Sequence, residues 1–161
     1  MMKWIVPLVV TVLAGQAYAD ATAEARAHSE KFGKACEAGE IDNVLALYAD
    51  DARVVWPGAG EEAQGKDAIE KLAKNLCDPK SEAKFTLKSI EGISLDSDHI
   101  ATVGHWEGSS KGPDGKKVMF QVRTTEVLVK AGSGWKYIVD HASIGQPPPK
   151  PPRAHKATPK P

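Results

Sequence analysis

Four side chains able to move protons or hold charge lie close together late in the sequence: Arg123, Glu126, Asp140 and His141. A carboxyl turned into an apolar hollow has its pKa raised by desolvation, which suits a general acid or base near neutral pH. Histidine titrates in the same range, so Asp140 and His141 are the candidate catalytic residues. They are also chain neighbours on a strand, where successive side chains point to opposite faces, so both can line one cavity only if a bulge intervenes. The alternation leaves two sets open. Ile138, Asp140 and Ala142 oppose Tyr137, Val139, His141 and Ser143; one strand earlier, Phe120, Val122, Thr124 and Glu126 oppose Met119, Gln121, Arg123, Thr125 and Val127. Trp56, Trp106, Phe120 and Tyr137 would give a small-molecule pocket its apolar wall, with Arg123 and Glu126 orienting a small apolar or amphipathic ligand. Each also has a purely structural use: Arg123 paired with an acid across strands, His141 hydrogen-bonded at a strand end, Asp140 capping a turn, the tryptophans as core.

Other chemistries find little to work with. His28, His99, His105 and His141 show no HxH or HxxxH spacing, and Asp50-Asp51 reads as a solvated turn, so no metal site is expected. No glycine-rich phosphate loop and no G-x-S-x-G elbow occurs, and no cofactor is expected.

The elements that must position these groups centre on a long hairpin. Residues 117–130 and 135–143 are β-branched and aromatic, and Gly132-Ser133-Gly134 between them supplies the conformational freedom of a tight reversal. Upstream, residues 22–38 read as a helix capped by Thr22 and stopped by Gly39. Ile41, Val44, Leu45 and Tyr48 repeat at helical spacing and predict a second helix closed by Asp50-Asp51. Residues 53–56 form a short strand ended by Pro57, residues 59–64 a polar loop, and residues 66–77 a third helix striped by Ile69, Leu72, Ala73 and Leu76. Residues 84–95 alternate as a strand but slip at Ile90, which beside Gly92 points to a bulge; a further strand runs from His99 to Gly108. Three N-terminal helices followed by a bent antiparallel sheet make an α+β domain, whose curved sheet encloses a cavity at its open end.

The ends read differently. Lys3, the apolar run from Ile5 to Ala14 and the Ala17-Tyr18-Ala19 cleavage pattern make residues 1–19 a secretory signal peptide, implying a periplasmic or secreted protein with no transmembrane segment after its removal. Residues 146–161 hold seven prolines and four basic groups without an acid, and predict a polyproline-II tail. That tail serves as an inert solubiliser or as a weak tether to anionic surfaces. Between them, residues 20–145 form one domain with 16 basic against 21 acidic groups, a net charge of −5, which excludes a nucleic-acid partner. Cys36 and Cys77 lie on apolar helix faces of an exported chain, which favours a disulfide over two buried thiols.

Leu47-Tyr-Ala-Asp-Asp-Ala52, Val54-Val-Trp-Pro57, Gly65-Lys-Asp-Ala-Ile69, Arg123-Thr-Thr-Glu-Val127 and Trp135-Lys-Tyr-Ile-Val-Asp-His-Ala-Ser143, in that order and spacing, resemble the nuclear transport factor 2-like superfamily, in its SnoaL-like and ketosteroid-isomerase-related branch. The resemblance covers residues 22–145. It implies a conical half-barrel of the cystatin-like type with a pocket, and a homodimer through the outer sheet face. The same cone serves isomerases, dehydratases, cyclases and binding modules, so it does not fix a function. The isomerases carry an acidic base just before a proline on the first strand, where this chain has Trp56, and an indole cannot take a proton from carbon. An exported small-molecule-binding protein is therefore the first reading. A cofactor-free isomerase, dehydratase or cyclase is the alternative. A carboxyl of raised pKa within reach of a histidine or tyrosine in the pocket discriminates between them.

Overall fold

Helix α1 runs from Val10 to Ala38 in the computed structural model, which describes residues 10–57, 62–112 and 114–145. The first nine residues of the expected leader and the whole basic, proline-rich tail lie outside the described residues. The helix starts well before Thr22, whose hydroxyl caps nothing and instead accepts from the Gly92 N–H at 3.0 Å. At its far end Gly39 turns at φ +70°, its N–H donating to the Cys36 carbonyl, and Glu40 N–H to that of Ala35. A left-handed residue one step past the last turn is the common way to satisfy those carbonyls.

Helix α2, Ile41–Ala46, ends sooner than its spacing predicts, because Tyr48 already opens strand β1, Tyr48–Val55. Tyr48 is fully buried, so the side chain read as a helical stripe faces the core from a strand. The expected loop after Pro57 supplies a three-residue strand, β2 (Glu62–Gln64), paired with β1. Helix α3, Lys66–Leu76, follows, with fully buried Ile69 at its core; burying such a side chain contributes about 2–3 kcal/mol. A single 3-10 turn, Pro79–Ser81, is capped by the Asp78 carboxylate. The Cys36–Cys77 disulfide then ties the end of α1 to the end of α3, as expected, across 41 residues of chain.

Strands β3 (Lys84–Ser94), β4 (His99–Lys111), β5 (Lys117–Ala131) and β6 (Gly134–Ile144) complete a six-stranded sheet in the order β2-β1-β6-β5-β4-β3. Its edges do not pair with each other, so the sheet stays open. It is mixed and not wholly antiparallel, since β1 runs parallel to β6. The three helices lie on one face, as an α+β half-barrel requires.

Irregularities in the ladder decide which side chains face the helices. On β3 the register shifts between Leu87 and Ser89, which moves the inward set from Phe85 and Leu87 to Ile90 and Gly92. The bulge expected beside Gly92 therefore lies earlier. Gly92 has another use: a Cβ there would collide with the Ala21 carbonyl, so its absence lets α1 lie directly on the sheet. Beyond it Ile93 and Leu95 are exposed. Among the described residues no helix is long and apolar enough to cross a membrane.

Candidate active site

Strand β6 presents two inward side chains that a regular strand would separate. Glu126 of β5 pairs with Asp140 and Val127 with Val139, but Leu128 pairs with Tyr137, so Ile138 is an extra residue without a partner. That bulge resets the alternation, and Tyr137 and Asp140, three residues apart, are both buried on the helix side at 2% and 5% exposure. In an unbroken strand Tyr137 would share the face of Val139 and His141.

Around Asp140 the donors come from β1. The Tyr48 hydroxyl donates to Oδ2 at 2.6 Å, and the Trp56 indole N–H donates to the same oxygen at 2.7 Å. Tyr48 is held there as the register partner of Tyr137, with ring centroids 5.1 Å apart. Directly across the ladder, Glu126 accepts at Oε2 from the Thr102 hydroxyl at 2.6 Å. Cross-strand partners hold their Cβ atoms about 4.5–5.5 Å apart, so two carboxyls occupy one buried site.

Burial, and after it the charge of Asp140, lifts Glu126 from 4.5 to about 7. Asp140 is also raised by burial, with Tyr48, Trp56 and the charge of His141 acting in the opposite sense. Two like charges in one apolar site do not both ionise readily, so the pair titrates as a unit and keeps about one proton near neutral pH. The indole and phenol donors on Asp140 favour the charge there, and Glu126, lifted to about 7, holds the proton. The tyrosine hydroxyls stay protonated, since burial raises both well above 10.0. Behind Tyr137, its hydroxyl lies 3.2 Å from Ser29 Oγ, and His28 packs edge-on with centroids 4.4 Å apart. Burial first, with Lys31 adding, lowers His28 to about 4 against the opposing effect of the Leu47 carbonyl, so its ring is neutral, with Nε2 buried and unpartnered.

The pair opens into a cavity of about 370 Å³. Phe32, Trp56, Phe85, Trp106, Phe120 and Tyr137 line it with both acids, and exposed Ile144 lies in its lining. A larger groove of about 500 Å³ runs beside the disulfide. Two of its lysines are spent on surface ion pairs, Lys84 with Glu37 and Lys111 with Glu82, and neither of the two buried acids lines it, so the chemistry belongs to the smaller cavity.

Of the residues singled out from the sequence, Trp56, Trp106, Phe120, Glu126, Tyr137 and Asp140 line this cavity. Arg123 and His141 do not. Both are exposed on the other face of the sheet, because no bulge separates Asp140 from His141 or Arg123 from Glu126. Arg123 stands opposite His105 and Ser143 and takes part in none of the ion pairs among the described residues. The pairing of Asp140 with His141 thus gives way to Asp140 with Glu126. Sequence reasoning missed Tyr48, Thr102 and Phe32. The alternation Ile100, Thr102, Gly104, Trp106 carried the signal for Thr102; Tyr48 was hidden by its helical spacing. Among the described residues no three His, Cys, Asp or Glu side chains are grouped to hold a metal ion.

An open, mixed six-stranded sheet wrapped on three helices is the architecture of the nuclear transport factor 2-like class. The chain belongs to the SnoaL-like domain family, whose model matches residues 25–147. A ketosteroid isomerase-like protein from Erwinia carotovora is similar at 21% identity, with a TM-score of 0.65 over 78% of this chain and 97% of that one. An uncharacterized protein with a cystatin-like fold from Caulobacter vibrioides is similar at 19% identity, with a TM-score of 0.67 over 80% and 92%. A hexachlorocyclohexane dehydrochlorinase, LinA Type2, is similar at 14% identity, with a TM-score of 0.67 over 84% and 88%. At these identities the likeness is one of fold. No curated protein sequence matches the chain.

Proposed function

We propose that the cavity binds a small, largely apolar molecule and that Glu126 and Asp140 carry out cofactor-free acid–base chemistry on it, an isomerisation or an elimination. The observation that carries this reading is a carboxyl poised near 7, directly across from a second carboxyl held by Tyr48 and Trp56. A binding site has no need of a shared proton, whereas proton transfer is most effective when the pKa lies near the working pH. The tryptophan standing where isomerases carry their base does not end such chemistry here; it donates to an acid on a different strand. In an isomerisation, the Asp140 carboxylate removes a proton beside a carbonyl while Glu126 donates one to the developing oxyanion; Asp140 then returns its proton to the far carbon of the dienol as Glu126 takes its own back. In an elimination, Asp140 takes the proton beside the carbonyl and Glu126 protonates the departing hydroxyl, which leaves as water. An isomerase-like protein and a dehydrochlorinase among the structural neighbours agree with that class.

Incubation of the protein in D2O with cyclic enones and β-hydroxy ketones, read by proton NMR for C–H exchange and loss of water, tests this. Exchange should fall by at least about a hundredfold in Glu126→Gln, the usual loss when a general acid is removed. Turnover unchanged in both Glu126→Gln and Asp140→Asn contradicts the reading.

Two further properties belong to the same proposal. Export through the leader at residues 1–19 agrees with a disulfide, which forms and persists in oxidising compartments. Pairing of two copies through the outer sheet face agrees with exposed Val55, Val103 and Val139 there, which would place Arg123 and His141 near the partner. Mass of the secreted form and light scattering check these two.

A further inference from the structure

The lining of the acid-bearing cavity is one-sided in charge. It holds two carboxyls, Glu126 and Asp140, and six aromatic rings, while no lysine, arginine or histidine is among the described residues that line it. Asn75, Ser81 and Ser110 are its polar but uncharged side chains away from the acids. Of the lysines lining the neighbouring groove, Lys84 and Lys111 pair with Glu37 and Glu82 and Lys117 is exposed, while Arg123 and His141 lie on the far face of the sheet. On Asp140 a single oxygen, Oδ2, receives both side-chain donors, leaving Oδ1 free of them.

We infer that the molecule taken by this cavity carries a protonated amine on an apolar or aromatic body. An anionic ligand would enter a low-dielectric space beside two acids with nothing to neutralise it. A neutral ligand fits but gains nothing from the pair's charge, which Tyr48 and Trp56 already support. An ammonium group does gain, donating to a carboxylate oxygen while ring faces attract its charge, as they do for amine and quaternary ammonium ligands generally. The cavity's 370 Å³ is at the small end of ordinary ligand sites, which limits the body to one or two rings.

This inference rests on the reading that the cavity is the functional site, and adds the class of ligand to it. Three probes sharing a phenyl ring separate the charges: 2-phenylethylammonium, 2-phenylethanol and 3-phenylpropanoate, titrated calorimetrically into the full chain at pH 8. The ammonium should bind at least tenfold tighter than the alcohol, and the propanoate should be weakest. Glu126→Gln, matched in shape, should reduce ammonium affinity about tenfold and leave the alcohol within threefold. Trp106→Leu removes the lining ring that reaches back to Gly104 and Thr124, beside the pair, and serves if the first variant fails to fold. It should weaken the ammonium about threefold more than the alcohol. Equal affinity for ammonium and alcohol, preference for the propanoate, or no binding by any of the three overturns the inference. Ammonium-selective binding with no proton exchange on any ketone keeps the inference and removes the catalytic reading. Exchange on neutral ketones without ammonium preference does the reverse.

Discussion

Asp140 receives two donors on one oxygen, and either donor can be deleted with little change of shape. Tyr48→Phe removes the shorter bond, at 2.6 Å, and leaves a buried acceptor with less support. A hydrogen bond to a charged group is worth about 1.5–3 kcal/mol, so the variant should lose about 2 kcal/mol in a urea melt at pH 8. It should also push Asp140 further up, since the Tyr48 hydroxyl favours its charged form. An unchanged midpoint would mean that Tyr48 only fills space. At this scale the sequence was informative about the acids and the aromatic wall, because a carboxyl within a β-branched strand is conspicuous. It was silent on Tyr48, whose neighbours Ile41, Val44 and Leu45 repeat at a helical period although the chain turns to strand there.

Among elements, the single extra residue on β6 aligns the site. Deleting Ile138 would restore a regular ladder and turn Tyr137 and everything before it on that strand to the outer face, or else slip the hairpin by one. Loss of the near-ultraviolet tyrosine signal and a stability loss of more than about 3 kcal/mol are expected, since an aromatic and its packing leave the core. The bulge was not legible because Tyr137, Ile138 and Val139 are all apolar, and alternation needs a polar residue to show its phase. Gly92 shows the opposite failure: its signal was real but belonged to helix contact. Gly92→Ala should cost about 1–3 kcal/mol through the clash with Ala21, measured by thermal melting, whereas a bulge glycine at negative φ would tolerate alanine. The three helices, the hairpin and the disulfide were readable, since each rests on local periodicity, a stop residue or cysteine number. The parallel β1–β6 pairing was not, because it joins segments about 90 residues apart.

Over the whole molecule the buried acids on one side and His28 on the other make stability depend on pH in opposite directions. Glu126 is raised from 4.5 to about 7, so the folded state holds its proton longer; stability is full below 4.5 and falls as pH rises to 7. His28 is lowered from 6.5 to about 4, so the folded state refuses a proton; stability is full above 6.5 and falls as pH drops towards 4. Each shift corresponds to about 3 kcal/mol, and between 4.5 and 6.5 the two oppose each other, with raised Asp140 acting in the sense of Glu126. Urea melts across that window read the two as differences from the wild type. Relative to the wild type, Glu126→Gln should gain stability with rising pH there, and His28→Phe should lose it. Parallel curves for all three would show that these groups titrate normally. Cys36→Ser should lower stability by about 4 kcal/mol under non-reducing conditions, through the loop that the disulfide closes.

Carbon-13 NMR titration of the side-chain carboxyls in the intact chain bears most directly on the shared proton. Glu126 should titrate near 7, with the Asp140 signal moving in the same step, and Asp140→Asn should bring the Glu126 midpoint down. A Glu126 midpoint near its ordinary 4.5, unmoved by Asp140→Asn, would contradict a carboxyl pair poised for acid–base work.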